Sequence, residues 1–141
     1  MPEKNKTYRA RIEGYTSEGL GVARIDGQAV FVHRALRGED CDVLILKVLK
    51  NAAFGKAVRV YAPSPHRREP DCPYYGRCGG CDFRPMDREE ELEAKRQRVQ
   101  DALRRIGGSD VTVETIFSGE PLHYRNKSQY PVSADGQVGF Y

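Results

Sequence analysis

The sequence predicts an α+β chain that is mainly β: a five-stranded OB-like barrel, then a cysteine-bearing loop, one helix and further strands. Three observations carry this. Residues 7–61 break into short runs of alternating apolar and polar residues punctuated by turn dipeptides. Pro63, Pro65, Pro70 and Pro73 then deny backbone donors and restrict the residues before them, which reads as a linker entering a loop. Residues 87–106 read as a charged helix with a capping residue at its start and a glycine pair at its end. A chain of 141 residues holds one ordinary domain or two small ones of modest core. The divisions fall at 1–61, 62–86 and 87–141.

The elements follow in order. "TYRARIEGY" sets Tyr8, Ala10 and Ile12 on one face of a strand. "GVARIDGQAVFVHRAL" places Asp26-Gly27, a dipeptide that supplies positive φ, between two strand-like runs, predicting a tight hairpin. Cys41–Lys50 reads as a long strand with Val43, Ile45 and Leu49 on one side and Leu44, Leu46 and Val48 on the other, so burial on both faces is expected. After a break over residues 51–55, Lys56–Tyr61 closes the set. A small closed barrel of the OB or SH3-like kind spares such strands exposed edges.

In the helix, Asp87 is the predicted N-cap and Glu90 its reciprocal capping-box partner, and Gly107-Gly108 the stop. Acidic residues crowd its start and arginines its end, matching the helix dipole. Leu92, Val99, Leu103 and Ile106 form a narrow apolar stripe that needs a partner surface. The charged face is a solvated surface or an RNA contact. "VTVETIF" predicts a strand, and Asp135-Gly136 a hairpin whose second strand ends at Tyr141 in the apolar run "VGFY". An unpaired apolar edge there suggests a piece of a longer protein.

Charged residues make up 30% of the chain and Trp is absent. Mean hydropathy is −0.66, which describes a very polar surface. No apolar run approaches the ~20 residues of a membrane span, and "MPEKNKTYRA" lacks the apolar core of a signal peptide. A cytoplasmic monomer with no membrane partner is expected. The net charge of +3 divides unevenly: residues 1–61 carry 11 Lys or Arg against 7 Asp or Glu, and residues 62–141 carry 12 against 13. The basic surplus sits in the barrel, where it suits a polyanion.

Cys72, Cys78 and Cys81 stand in "DCPYYGRCGGCDF" with C-x5-C-x2-C spacing. In a reducing compartment, clustered thiols read as metal or cluster ligands rather than disulfides. Gly76, Gly79 and Gly80 allow the loop to curl so that amides approach sulfur. Zinc sites more usually pair two short-spaced motifs. A fourth ligand could be Cys41, His66 or a cysteine beyond Tyr141.

The ordered set "EGLGVARIDGQAVFVHRALRGE", "CPYYGRCGGCDF", a helix and "HYRNKSQYPV...GFY" closely resembles the N-terminal part of the bacterial RNA (uracil-5-)-methyltransferases, especially those modifying large-subunit 23S ribosomal RNA. The resemblance spans nearly the whole chain. It implies that the barrel is a TRAM domain that binds RNA. It assigns Cys72, Cys78 and Cys81 to a [4Fe-4S] cluster whose fourth cysteine follows the "GFY" strand. It further implies methyl transfer from S-adenosylmethionine to uridine C5 in a Rossmann-like domain absent here, with a cysteine adding to C6 and a carboxylate aiding proton removal. No catalytic or cofactor-binding residue is therefore expected in this chain, which should be inactive alone. "YRNK", Tyr124 to Lys127, is implied to face RNA, with Gln129 helping to position the flipped base.

Phosphate contacts are expected from Arg9, Arg11, Arg24, Arg34, Arg37 and Lys56 of the barrel and from Arg125 and Lys127, with Tyr15 or Phe31 as stacking groups. The rival reading is a free-standing zinc-stabilised RNA-binding module. A radical enzyme is disfavoured because such enzymes want C-x3-C-x2-C. The simplest role of a cluster here is a staple for a small domain.

Overall fold

The structure, a computed structural model, describes residues 1–140. The end of the predicted "VGFY" strand, Tyr141, lies outside the described residues. Six strands precede one helix: β1 (Thr7–Arg11), β2 (Gly14–Tyr15), β3 (Gly21–Ile25), β4 (Gln28–His33), β5 (Asp40–Val48), β6 (Ala52–Ala62) and α1 (Arg88–Arg105).

The sixth strand arises because the first predicted one bends. β1 pairs with β5, but Ile12 donates to Glu39 O at 2.9 Å and Glu13 to Val22 O at 2.7 Å, so the chain changes partners and continues as β2 beside β3. The sheet order is β1-β5-β6-β4-β3-β2, with β4 and β6 parallel and the other pairs antiparallel. Its two edge strands are consecutive in sequence, so the sheet curls into a half-barrel closed through the chain itself.

Period-two alternation fills the inside. Ala10, Ile12, Ala23, Ile25, Val30, Val32, Cys41, Val43, Ile45 and Ala53 form one buried cluster. Asp26 and Gly27 adopt φ of 49° and 78°, the left-handed pair a two-residue hairpin turn requires. Gly55 sits where β5 and β6 approach closely: a Cβ there would stand 2.6 Å from Val43 Cγ1 and 2.8 Å from Leu44 O.

Two strand expectations need correction. β5 is buried on one face only, because no second layer covers its outer side, where Leu46 is 40% exposed; past the bulge between Ile45 and Lys47 the alternation shifts, so that Val48 packs against the core and Leu49, beyond the strand, is 44% exposed. β6 starts at Ala52 instead of after a break, since residues 52–56 pair in parallel with Ala29–His33 of β4.

The proline-rich segment is tied down. Glu39, wholly buried, accepts from Leu36 N at 2.8 Å, Ser64 N at 3.1 Å, and Arg67 Nε and Nη2 at 2.6 and 2.7 Å. Arg67 also donates to Arg34 O at 2.8 Å, so the segment after β6 is fastened to the barrel rim.

Asp87 caps α1, accepting from Glu90 N at 2.9 Å. The reciprocal half of the capping box does not form: Asp87 N donates to His66 O at 2.8 Å, and Glu90 turns toward the barrel. At the far end, Ser109 N reaches back to Leu103 O at 3.0 Å past Gly108, whose φ is 60°. The buried helical residues are Glu90, Ala94 and Gln100, while Val99 and Ile106 of the expected apolar stripe are 51% and 88% exposed. "VTVETIF" forms no strand. It runs beside α1, where Gln100 donates to Val111 O and accepts from Val113 N at 2.9 and 2.7 Å, substituting for a strand neighbour. The Asp135-Gly136 turn is present, with Gly136 at φ 83° and one bridge between Val132 and Val138.

Candidate nucleic-acid interface

The outer face of the half-barrel has no covering layer. Phe31 of β4 and Phe54 of β6 are register partners on it, their rings edge to face with centroids 5.3 Å apart. The next pair on the same face is His33 and Lys56, both exposed. Aromatic and cationic side chains therefore alternate along two neighbouring strands.

Of the predicted phosphate contacts, Arg11, Arg24 and Lys56 remain exposed, Arg24 only 3.9 Å from Glu13. Arg9 is exposed but paired with Asp40 at 2.5 Å and stacked 4.3 Å from the Tyr61 ring centre. Asp40 raises the pKa of Arg9, and Arg9 holds the Asp40 carboxyl below its ordinary range. Arg34 donates to Gly76 O at 2.8 Å, and Arg37 to Glu90 at 3.0 Å. Both are thus tied into the fold. Arg125, Lys127 and Gln129 are exposed, Arg125 lying 5.9 Å from the Tyr124 ring centre.

Tyr15 is not an open stacking group. It is half-buried, donates to Glu90 at 2.8 Å and accepts from Arg37 N at 2.9 Å. Burial chiefly raises its pKa, keeping the phenol a neutral donor. Reasoning from sequence missed Phe54, His33, Tyr75, Arg77, Arg59 and Tyr61. The Arg59–Tyr61 pair had a legible signal, alternating positions at the end of a strand, and Arg59 lies 4.7 Å from the Tyr61 ring centre.

The cysteine loop packs against the barrel through Arg34 and Gly76. Gly76 has φ 89°, and Tyr75 N and Cys78 N donate to the carbonyls of Cys72 and Tyr74 at 3.1 and 3.0 Å. These turns direct the Tyr75 and Cys78 amides to carbonyls. Cys72, Cys78 and Cys81 line one open cavity of about 720 Å³, with Arg77 and Arg125 also on its wall. In donor chemistry this set fits an anionic thiolate-bound cluster, because guanidinium groups offset charge on sulfur. Among the described residues, however, no group of three or more His, Cys, Asp or Glu side chains is gathered to hold a metal ion. Cys41 is a core residue, wholly buried, with burial pushing its thiol up to about 11. His66 is part-buried and is bonded through Nδ1 to Asp87 at 2.9 Å.

Fold and surface together define an OB-like β-module built to present an open, mixed aromatic and basic face. Residues 3–58 match the TRAM domain family. Over 99% of its length the chain is 43% identical to an uncharacterized RNA methyltransferase of Clostridium tetani, covering 31% of that protein. It is 41% identical over 92% of its length to one from Bacillus cereus, covering 29% of it. The fold also matches a crystal structure of Pyrococcus abyssi tRNA (uracil-54, C5)-methyltransferase with S-adenosyl-L-homocysteine: TM-score 0.55, 22% identity, over 93% of this chain and 28% of that one. Residues 3–58 are a TRAM domain, and the whole is consistent with an N-terminal TRAM region of an RNA methyltransferase family protein. The chain spans about a third of the length of these relatives. Among the described residues, no helix is long and apolar enough to cross a membrane.

Proposed function

We propose that this chain is the N-terminal, RNA-engaging and cluster-binding portion of an S-adenosylmethionine-dependent RNA (uracil-5-)-methyltransferase that forms 5-methyluridine in 23S ribosomal RNA. The reading is carried by one observation: a TRAM domain with an uncovered aromatic and basic face, in a chain 43% identical over 99% of its length to an RNA methyltransferase. Arg9, Arg11, Arg24, Lys56, Arg125 and Lys127 meet phosphates, and Gln129 helps to position the target base. Chemistry and S-adenosylmethionine binding belong to the remaining two thirds of such a protein, so this chain alone is inactive. The parent acts in the cytoplasm as a monomer.

Cys72, Cys78 and Cys81 hold three corners of a [4Fe-4S] cluster, with the fourth ligand supplied from outside this chain. When bound, the group staples the loop to its surroundings. The zinc alternative loses one of its two candidate fourth ligands, because Cys41 is enclosed in the barrel interior; His66, bonded to Asp87 through Nδ1, keeps Nε2 open.

The test is methyl transfer by the parent protein from a tritiated donor to 23S ribosomal RNA, followed by nucleoside analysis. Label in 5-methyluridine is expected, with none transferred by this chain alone. Label confined to transfer RNA would contradict the ribosomal assignment, and none in any RNA would contradict the reading.

A further inference from the structure

The aromatic and cationic pairs on the outer face lead into a second cavity, of about 440 Å³, between the barrel and the cysteine loop. Phe31 faces Phe54 and, two residues on, His33 faces Lys56. Alternate positions on paired strands share a face and stand about 6.6 Å apart along it. Beyond them the barrel contributes Arg34 and the loop contributes Tyr75 and Arg77, with Asp82 the single carboxylate on the wall. The cavity is pre-formed: Arg34, held at φ 64°, donates to Gly76 O at 2.8 Å and accepts from Arg67 at 2.8 Å through its own carbonyl. Lys56 and Arg77 make no ion pair among the described residues. Their charge is therefore available to a ligand.

We propose that this cavity and the Phe31–Phe54 pair outside it together form a nucleotide subsite for single-stranded RNA, in which a base stacks on the two rings and the adjoining phosphate enters the cavity between Lys56 and Arg77. The cysteine loop is then a wall of the RNA site and not only a holder of metal. The inference rests on the RNA-binding reading above and deepens it. Alternation of a π surface with a cationic one matches the alternation of base and phosphate; an acidic peptide would satisfy the charge and leave the rings unused. Cys78 and Cys81 line the same cavity, so bound RNA should cover them.

The test follows fluorescence anisotropy of a short labelled oligouridylate over a salt series, with variants first checked for unchanged melting. Lys56→Ala and Arg77→Ala should each weaken binding about 3–10-fold and reduce the salt slope by about 0.7, the single-strand increment per phosphate. Phe54→Leu should weaken binding while leaving the slope alone, Arg77→Lys should recover most of the affinity, and Lys95→Ala on α1 should change nothing. In the metal-free wild-type chain, oligouridylate should slow alkylation of Cys78 and Cys81. Wild-type binding with unchanged slopes in both alanine variants and unprotected thiols would overturn the subsite and leave the RNA reading intact. No wild-type binding would overturn both. Competition by polyglutamate equal to that by RNA would overturn the assignment to RNA.

Discussion

The Tyr15 hydroxyl donates to the Glu90 carboxylate at 2.8 Å, joining β2 to the first turn of α1 across 75 positions of sequence. Arg37 closes the triangle, its guanidinium 3.0 Å from the other Glu90 oxygen and its amide 2.9 Å from the Tyr15 hydroxyl. A carboxylate with its side chain only 4% exposed is stabilised by two charge-assisted bonds, one from a neutral phenol and one from a guanidinium. This is how the helix is set against the barrel.

Glu90→Ala should therefore destabilise the chain by about 1–3 kcal/mol, below the full loss for a buried pair because Arg37 is partly solvated. Urea denaturation measures the loss. Tyr15→Phe should cost about 1–2 kcal/mol by stranding the Arg37 amide and one Glu90 oxygen. Near-neutral results for both would detach the helix from the barrel.

Glu39 makes the tighter fastening. Four donors converge on a side chain with no solvent exposure. Glu39→Ala should cost about 3–5 kcal/mol, the range for removing one partner of a buried charged pair. Limited proteolysis should then cut within residues 63–70, which the wild type protects. An uncut variant would argue against a tied-down linker.

Gly55→Ala should cost about 1–3 kcal/mol, because the new methyl meets backbone as well as a side chain at the β5–β6 crossing. Gly27, with positive φ and open space around it, serves as the contrast. Its alanine variant should suffer only the strain of the turn, and comparing urea midpoints separates steric crowding from backbone strain. Equal losses would mean that the crossing relaxes.

How much of this was legible in the sequence depended on how local the determining contact is. The Asp26-Gly27 turn, the Val43 and Ile45 alternation and the Asp87 cap each depend on near neighbours, and each is found. Glu90 illustrates the failure: its position suits a capping box, but Tyr15 and Arg37, distant in sequence, offer it two stronger donors. Leu46 reads as core by composition, yet which face of β5 is covered depends on layers that periodicity does not reveal. On the candidate interface, Lys56 is singled out in the sequence by its charge and is exposed in the structure. Phe54 stands beside Phe31 only because β4 pairs with β6, and Arg77 shares a cavity with Lys56 only because the loop borders the end of that face, relations that emerge only in three dimensions.

The His66–Asp87 contact makes stability depend on pH. Its bond to Asp87, chiefly, raises the pKa of His66 above the ordinary 6.5, with Glu90 and Glu89 adding to the effect. This contribution is complete below 6.5 and is lost as pH rises through the raised value. Asp87 is lowered from 3.8 mainly by the Glu90 amide, with His66 and Arg68 assisting, so its contribution is complete above 3.8 and is lost as pH falls through the lowered value. Between 3.8 and 6.5 both are present. The melting temperature should fall as pH rises from 6.5 to about 8, and fall less in His66→Gln. The same fall in both proteins would assign the effect to other groups.

The most direct test of the central claim, that this chain engages RNA, is a fluorescence titration of the wild-type chain with ribosomal RNA hairpins over a salt series, beside an acidic control protein. Tight binding to the hairpins, with log K falling linearly as log salt rises, is the predicted result. Binding to the hairpins no tighter than to the acidic control would contradict it.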